Sequence, residues 1–340
     1  MIGSEDEYTR FARAALDRYG FGAHAQLTLL SLSENGTFLA RDQDGAAILR
    51  VHRPGYHDRR AIESELTWME RVREDCGIAT PHLVPAADGS RVVTVVLDDQ
   101  VRHVDAVTVV AGRTGEEAVG GVPLAELGRI SAHLHRHAES WRPPEGFTRF
   151  RWDFAHCLGD APRWGRWQDA PGIRGRDHGI LATAVDTLRA ALEEYGTSPA
   201  RFGLVHADLR MSNVMVGTSG EITVIDFDDC GYGWLLSDLS SIVSWREHEH
   251  DEAHAAITQW LRGYLPHREL TDEDLAMIPA FVMMRRLMLT AWLGTHPDSP
   301  PARRLGGSYA RGTVDLADRY LRDRRWLRYT LSDLRSAVTT

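Results

Sequence analysis

The 340-residue sequence contains no lysine; all 39 residues counted as Lys or Arg are arginine. That absence excludes a Walker A phosphate loop, a Schiff-base amine and a lysine general base. Any phosphate contact made by a cationic side chain must therefore use arginine or histidine. Cysteine is scarce: Cys76, Cys157 and Cys230 lie far apart and form no C-x-x-C pair. This argues against a disulfide framework or a cysteine zinc centre. No apolar run reaches the roughly 18–20 residues of a bilayer span. The longest, Ile278–Leu293, is interrupted by Arg285 and Arg286. G-x-G-x-x-G, G-x-S-x-G and H-E-x-x-H are all missing, which removes three common enzyme signatures. The N-terminal Ser4-Glu5-Asp6-Glu7 has the wrong charge for a signal peptide. A formal net charge of −9 argues against nucleic acid as a partner. The expectation is a cytoplasmic protein with no membrane or nucleic-acid partner. Its 43% hydrophobic content suits one large core or two modest ones.

Periodicity supplies the architecture. Tyr8, Phe11, Ala12, Ala15, Leu16 and Tyr19 recur at helical spacing, with Ser4 and Glu7 as a capping box and Gly20 as a stop. Gln26–Leu32, Thr37–Arg41 and Ala46–His52, separated by turns, predict an antiparallel meander. A helix over Arg59–Asp75 carries Ile62, Leu66, Met69 and Val72 on one face, and β-rich runs follow at Arg91–Leu97 and Asp105–Val110. From about Pro123 the chain turns mostly helical, apart from a hairpin predicted at Asn213–Val216 and Glu221–Ile225. The expected fold is α+β and two-lobed: an antiparallel β-rich N-lobe over residues 1–111 and a mostly helical C-lobe over 112–340. Ligands are expected in the cleft between such parts.

The chemistry sits in His206-Ala207-Asp208-Leu209-Arg210-Met211-Ser212-Asn213, an H-x-D-x-x-x-x-N pattern. A phosphoryl acceptor needs a carboxylate near its hydroxyl, and the metal on the phosphates needs oxygen ligands. Asp208 and Asn213 on one short loop are suited to supply both. Val224-Ile225-Asp226-Phe227-Asp228-Asp229 follows, with Asp226 at the end of a hydrophobic β-run, where a second metal ligand is required. Asp228 is either a third metal ligand or a solvated carboxylate. Upstream, Arg50 on the third strand is the candidate phosphate-binding cation. Glu65, on the inward face of the following helix, is costly there unless paired. Arg50 is its natural partner, with Glu63 the fallback for the glutamate. The turn Ser33-Glu34-Asn35-Gly36 is a candidate flexible nucleotide loop, a weak signal taken alone.

Other clusters carry less. His133 and His137 share a helix face, but no third metal ligand stands near them in sequence. Trp245, Trp260, Tyr264 and Trp292 could line an acceptor pocket, but aromatics at helical spacing are more often core.

From Gln26 to Trp245 the chain resembles the aminoglycoside phosphotransferase and choline kinase family, a branch of the protein-kinase-like fold. Ile48–Gly55 and Ser64–Trp68 are similar to the N-lobe of bacterial type II homoserine kinase-like members. Leu204–Asp208, Ser212-Asn213, Ile225–Asp229 and Ser237–Leu239 resemble the family's core signature. The resemblance implies ATP and Mg²⁺ as cofactors, Asp208 as catalytic base, and Asn213 and Asp226 as catalytic metal ligands. It implies a holding role for His206, a buttress at Asp238, and adenine bonding to backbone at Val109–Ala111. Ser33, Asn35, Gly36, Arg50 and Glu65 complete the expected nucleotide site. Arg50 stands where lysine is usual. The expected activity is transfer of the γ-phosphate to a hydroxyl of a small molecule such as an amino alcohol, sugar or aminoglycoside. A Ser/Thr kinase acting on a peptide and a nucleotide-binding pseudokinase are the alternatives.

Overall fold

A computed structural model describes residues 3–32, 34–323 and 326–336. They form two compact units. The first comprises Met1–Val119, Arg142–Arg149 and Ser212–Asp228; the second comprises Gly120–Trp141, Phe150–Met211 and Asp229–Thr340.

The first unit is built on the predicted meander. Helix α1 spans Glu5–Ala15; Ser4 caps it by accepting the backbone N–H of Glu7 at 3.2 Å. Half of the expected capping box forms, because the Glu7 carboxylate is drawn instead to Arg102. Strands β1 (Gln26–Leu32), β2 (Gly36–Arg41) and β3 (Ala46–Val51) pair antiparallel in sequence order. Helix α2 (Arg59–Cys76) follows, capped by Asp58. Strands β4 (Val92–Leu97) and β5 (Gln100–Thr108) complete a five-stranded sheet ordered β1-β2-β3-β5-β4.

The fifth strand starts earlier than the sequence predicts. Asp98 and Asp99 both adopt positive φ, 49° and 61°, as a two-residue hairpin turn requires. The polar residues after them therefore pair directly with β4. Alternation along β3 sends Ala47, Leu49 and Val51 into a core shared with Tyr8, Phe11 and Ala12 of α1. Arg50 and His52 thereby fall on the opposite face.

The predicted hairpin exists, as Val214–Val216 paired with Ile222–Val224. It belongs to the first unit, where Arg113–Thr114 adds a third short strand beside Val214–Val216. Two residues carry no periodicity, so no sequence pattern marks Arg113–Thr114 as a strand.

The second unit is mostly helical, with a small sheet in which Gly231–Trp234 lies between Arg151–Trp152 and Phe202–Val205. Helices Leu124–Ser140 and His250–Tyr264 pack so closely that a Cβ on Gly128 would lie 2.0 Å from the Trp260 carbonyl oxygen. Trp260 and Tyr264, stacked at 4.5 Å, are core residues rather than pocket lining. The stretch Asp272–Thr295 has the length and hydropathy of a membrane span, but 83% of its most apolar window is buried inside the protein. Its main part, Ile278–Thr295, is a core helix, and the arginines at 285 and 286 are buried with it.

Candidate active site

Arg50 is the hub of the first unit's polar interior. Its Nη1 donates to Glu65 Oε1 at 2.7 Å, the partnership the helix pattern calls for. Glu65 is fully buried, and a second cation, Arg149, lies 3.9 Å from its other oxygen. Glu63 instead pairs with Arg59 at the surface. The sequence reading missed Asp105. It stands opposite Arg50 in the β3–β5 register and accepts from Arg50 Nε at 3.1 Å. His52, on the same face as Arg50, lies 2.5 Å from Asp105 Oδ2. Burial alone would raise the Asp105 carboxyl, but Arg50 and His52 hold it below the usual carboxylate range. Burial works against charge on His52 too, yet hydrogen bonds to Asp105 and Asp228 push its pKa up to about 9. The available signal was a carboxylate inside the apolar run Val104–Val107.

Arg50 Nη2 is buried and makes no aligned hydrogen bond, though Asp105 Oδ2 is 3.0 Å away. A buried guanidinium nitrogen with unspent donor capacity fits a phosphate oxygen.

The hairpin places the two expected metal ligands together. Ile225 N donates to the Asn213 carbonyl at 3.0 Å, so Asp226 leaves its strand beside Asn213. Asp226 is exposed and has φ +62°, a conformation costly for any residue with a Cβ. Phe227 anchors it from behind, packed edge-on against Trp68 of α2 with ring centroids 5.6 Å apart. Asn213 is buried, and its amide oxygen accepts from Ser212 Oγ at 3.2 Å; an amide oxygen and a carboxylate are hard-oxygen donors of the kind a divalent cation such as Mg²⁺ takes. Asp228 is buried, which corrects the solvated alternative. Its carboxylate lies 3.6 Å from His52 and 3.7 Å from His57. Burial raises its pKa, but these histidines outweigh the effect and hold it well below the usual range.

The nucleotide-loop candidates are only partly described: Ser33 lies outside the described residues. Asn35 Oδ1 accepts the Arg53 backbone N–H at 3.0 Å, and Glu34 pairs with Arg53 at 2.6 Å, so the turn is tied to the end of β3. Gly36 has no room for a side chain, since a Cβ would lie 2.6 Å from the Tyr8 ring. Val109 and Ala111 are exposed on the extended segment after β5.

In the second unit, Asp208 follows Ala207, whose φ is +67°. Asp238 fixes that bend by accepting the N–H groups of Ala207 at 2.7 Å and His206 at 3.2 Å. It also pairs with His135 at 3.1 Å. His206 is fully buried, and Asp238 nearly so. Asp208 Oδ2 accepts from Arg210 Nε at 3.0 Å, and Oδ1 accepts from Arg285. Burial raises the Asp208 carboxyl, but Arg210, then Arg285 and His206, hold it below the ordinary range, so it is ionised at neutral pH. Sequence reasoning met Arg285 only as an interruption of an apolar run. A buried arginine in such a run needs an anionic partner, and that was the missed signal. A cavity of about 20 Å³, lined by Trp152, Trp164, Ala207, Ser240, Met284 and Arg285, has room for about one water. A larger one of about 300 Å³, between Leu158, Trp167 and Arg189, does not touch Asp208.

Carboxylates on a short loop and at a strand end are residue types that phosphoryl transfer uses. Comparison with known proteins gives that chemistry a family. The chain belongs to the phosphotransferase enzyme family, whose model matches residues 27–274, and it is an enzyme that transfers phosphate from ATP to a hydroxyl of a small molecule. Its fold is similar to that of a microcompartment-associated aminopropanol kinase, with 45% identity, a TM-score of 0.85, and coverage of 94% of this chain and 99% of the other. It is 26% identical to amicoumacin kinase of Bacillus subtilis (strain 168), over 81% of each chain. An amicoumacin kinase solved with AMP-PNP, Ca²⁺ and Ami shares 24% identity, a TM-score of 0.73, and coverage of 98% and 97%; that likeness speaks for the fold alone.

Proposed function

We propose that this chain is a Mg²⁺- and ATP-dependent amino-alcohol kinase whose acceptor is a small amino alcohol of the aminopropanol class. The observation that carries the acceptor class is the likeness, over nearly the whole of both chains, to an aminopropanol kinase. In this reading residues 1–111 form the nucleotide-binding lobe, with Arg50, Asn35, Gly36, Val109 and Ala111 contributing to it, together with Ser33. Residues 112–340 form the lobe that supplies Asp208. Glu65 and Asp105 orient Arg50 toward the phosphates, and the open donor capacity of its Nη2 supports that role. Asn213 and Asp226 hold the metal, with Asp228 as the third candidate; the metal's chemistry is to screen phosphate charge. Asp208 accepts the proton of the acceptor hydroxyl as its oxygen takes the γ-phosphoryl group and ADP leaves. The reaction takes place in the cytoplasm, where ATP is supplied.

The test is ADP release from Mg-ATP with 1-amino-2-propanol, ethanolamine, choline, homoserine, an aminoglycoside and a Ser/Thr peptide. The aminopropanol should give the highest kcat/KM. Turnover with the peptide or the aminoglycoside and none with the amino alcohols would defeat the proposed acceptor.

A further inference from the structure

Helix Ile278–Thr295 carries two adjacent buried arginines that serve different purposes. Arg286 is committed to the interior: Nη1 to Glu247 at 2.8 Å, Nη2 to the Tyr309 carbonyl at 2.7 Å, and Nε to Thr313 at 2.8 Å. Arg285 is aimed at the loop that bears the base. Its Nη2 donates to Asp208 Oδ1, Nη1 donates to the Ala207 carbonyl at 2.8 Å, and Nε donates to Ser244 Oγ at 3.2 Å. Trp164 covers the guanidinium, with its ring centroid 5.2 Å from the central carbon. The side chain of Arg285 is 8% exposed and that of Asp208 15%.

The two ends of the Ala207 residue are thus gripped from different elements. Asp238 takes its N–H, while Arg285 and Ser241 take its C=O, the serine at 3.2 Å. Ala207 has left-handed φ, which only surrounding contacts can sustain. The guanidinium that supports that backbone also holds the next residue's carboxylate, so one planar fork sets both position and orientation. Arg210 holds the other carboxylate oxygen at 3.0 Å, but from the same loop and with a side chain 34% exposed.

We infer that Arg285 is a positioning residue for phosphoryl transfer: it fixes the direction of the Asp208 carboxylate by holding that carboxylate and the Ala207 carbonyl together from a separate helix. The inference rests on Asp208 being the base. The charged and titratable groups that face Asp208 among the described residues include Arg210 and His206 on its own segment and Arg285 from the helix. Of these, Arg285 is the deeply buried cation contributed by another element, with a side chain 8% exposed.

The experiment compares R285M, R285K, S244A and D208N in steady-state kinetics with Mg-ATP and aminopropanol from pH 5 to 9, alongside thermal melts. Methionine fills the stem volume without charge. R285M should lose about 10²-fold in kcat, the scale of a misplaced catalytic group, with the KM for ATP nearly unchanged. The acid limb of its kcat/KM profile should move up by about one pH unit or more, since an opposite charge has left the carboxylate. R285K keeps the charge but not the fork, so its acid limb should stay near wild type while kcat falls. S244A should lower kcat slightly without moving that limb. A folded R285M with wild-type kcat and acid limb overturns the inference. If R285M does not fold, R285K with wild-type kcat overturns it. Full activity in D208N would instead sink the assignment of the base. An inactive D208N beside a normal R285M would leave that assignment intact and reject only the role given to Arg285.

Discussion

Arg50 and Asp105 face each other directly across two antiparallel strands, and this pairing makes the arginine the centre of a buried charge cluster rather than half of a simple ion pair. The arrangement suits an arginine at this position. A fork can serve Glu65 with one nitrogen and Asp105 with another, and a single ammonium cannot match that geometry. Arg50→Ala should therefore cost about 3–5 kcal/mol of stability, the scale for uncompensated buried charge. Arg50→Lys should recover part of it. Thermal or urea melts measure both, and an R50A melting temperature equal to wild type would show that the cluster is not energetically buried.

Removal of the proposed base is the most direct catalytic test. Asp208→Asn should lower kcat by about 10²–10⁴-fold, with ATP binding retained. The check is ADP release under saturating Mg-ATP, together with nucleotide affinity by calorimetry. A rate close to wild type would remove Asp208 from the chemistry.

Asp226 allows function to be separated from folding. It is exposed and holds φ +62°, a region where glycine is free of the roughly 1–2 kcal/mol strain other residues carry. Asp226→Gly should keep or raise the melting temperature while abolishing metal-dependent turnover. A variant that is equally stable and still responds to Mg²⁺ titration would exclude Asp226 as a ligand.

The closest helix packing in the second unit depends on two glycines. A Cβ on Gly263 would lie 1.7 Å from the Ala125 carbonyl oxygen, and one on Gly128 2.0 Å from that of Trp260. Neither neighbour is a side chain that can rotate away. Gly128→Ala or Gly263→Ala should each destabilise by about 1–3 kcal/mol, read as a lower urea midpoint with unchanged metal dependence of the remaining activity.

A pH effect is expected at the capping box of helix Asp272–Ala276. Asp274 accepts from the Thr271 backbone N–H at 2.7 Å and from Tyr195 at 2.7 Å. Burial raises its carboxyl, but the Thr271 and Tyr195 hydrogen bonds hold it below the ordinary value. A depressed folded pKa means that its stabilisation is complete above about pH 3.9, the unfolded value. That stabilisation fades as pH falls through the lower folded value. The melting-temperature gap between wild type and Asp274→Asn should be full at pH 6 and shrink below pH 4. A gap that grows on acidification would contradict this assignment.

Several features were legible from residue order because they are local. Periodicity marked α1, α2 and the β1–β3 meander, since burial on one face imposes a repeat on any element long enough to show it. Spacing likewise put Asp208, Asn213 and Asp226 forward as site candidates. Glu65 announced its need for a cation by standing among apolar residues. Other features had no local signature. The two-residue strand Arg113–Thr114 is too short for a pattern. The turn at Asp98-Asp99 depends on positive φ in residues that seldom adopt it. Arg53's hold on the Glu34-Asn35 turn joins residues 18 apart in the case of Asn35.

The sequence by itself determined the class of chemistry, because the residue types able to take a hydroxyl proton and hold a metal on phosphates are few and their spacing on short loops is constrained. Only the tertiary structure decided how those groups are held. Asp105 reaches Arg50 through strand register, and Arg285 reaches Asp208 from a helix 77 residues away. The state of a carboxylate depends on the charges that surround it in space, and folding brings those charges from parts of the chain that no local pattern connects.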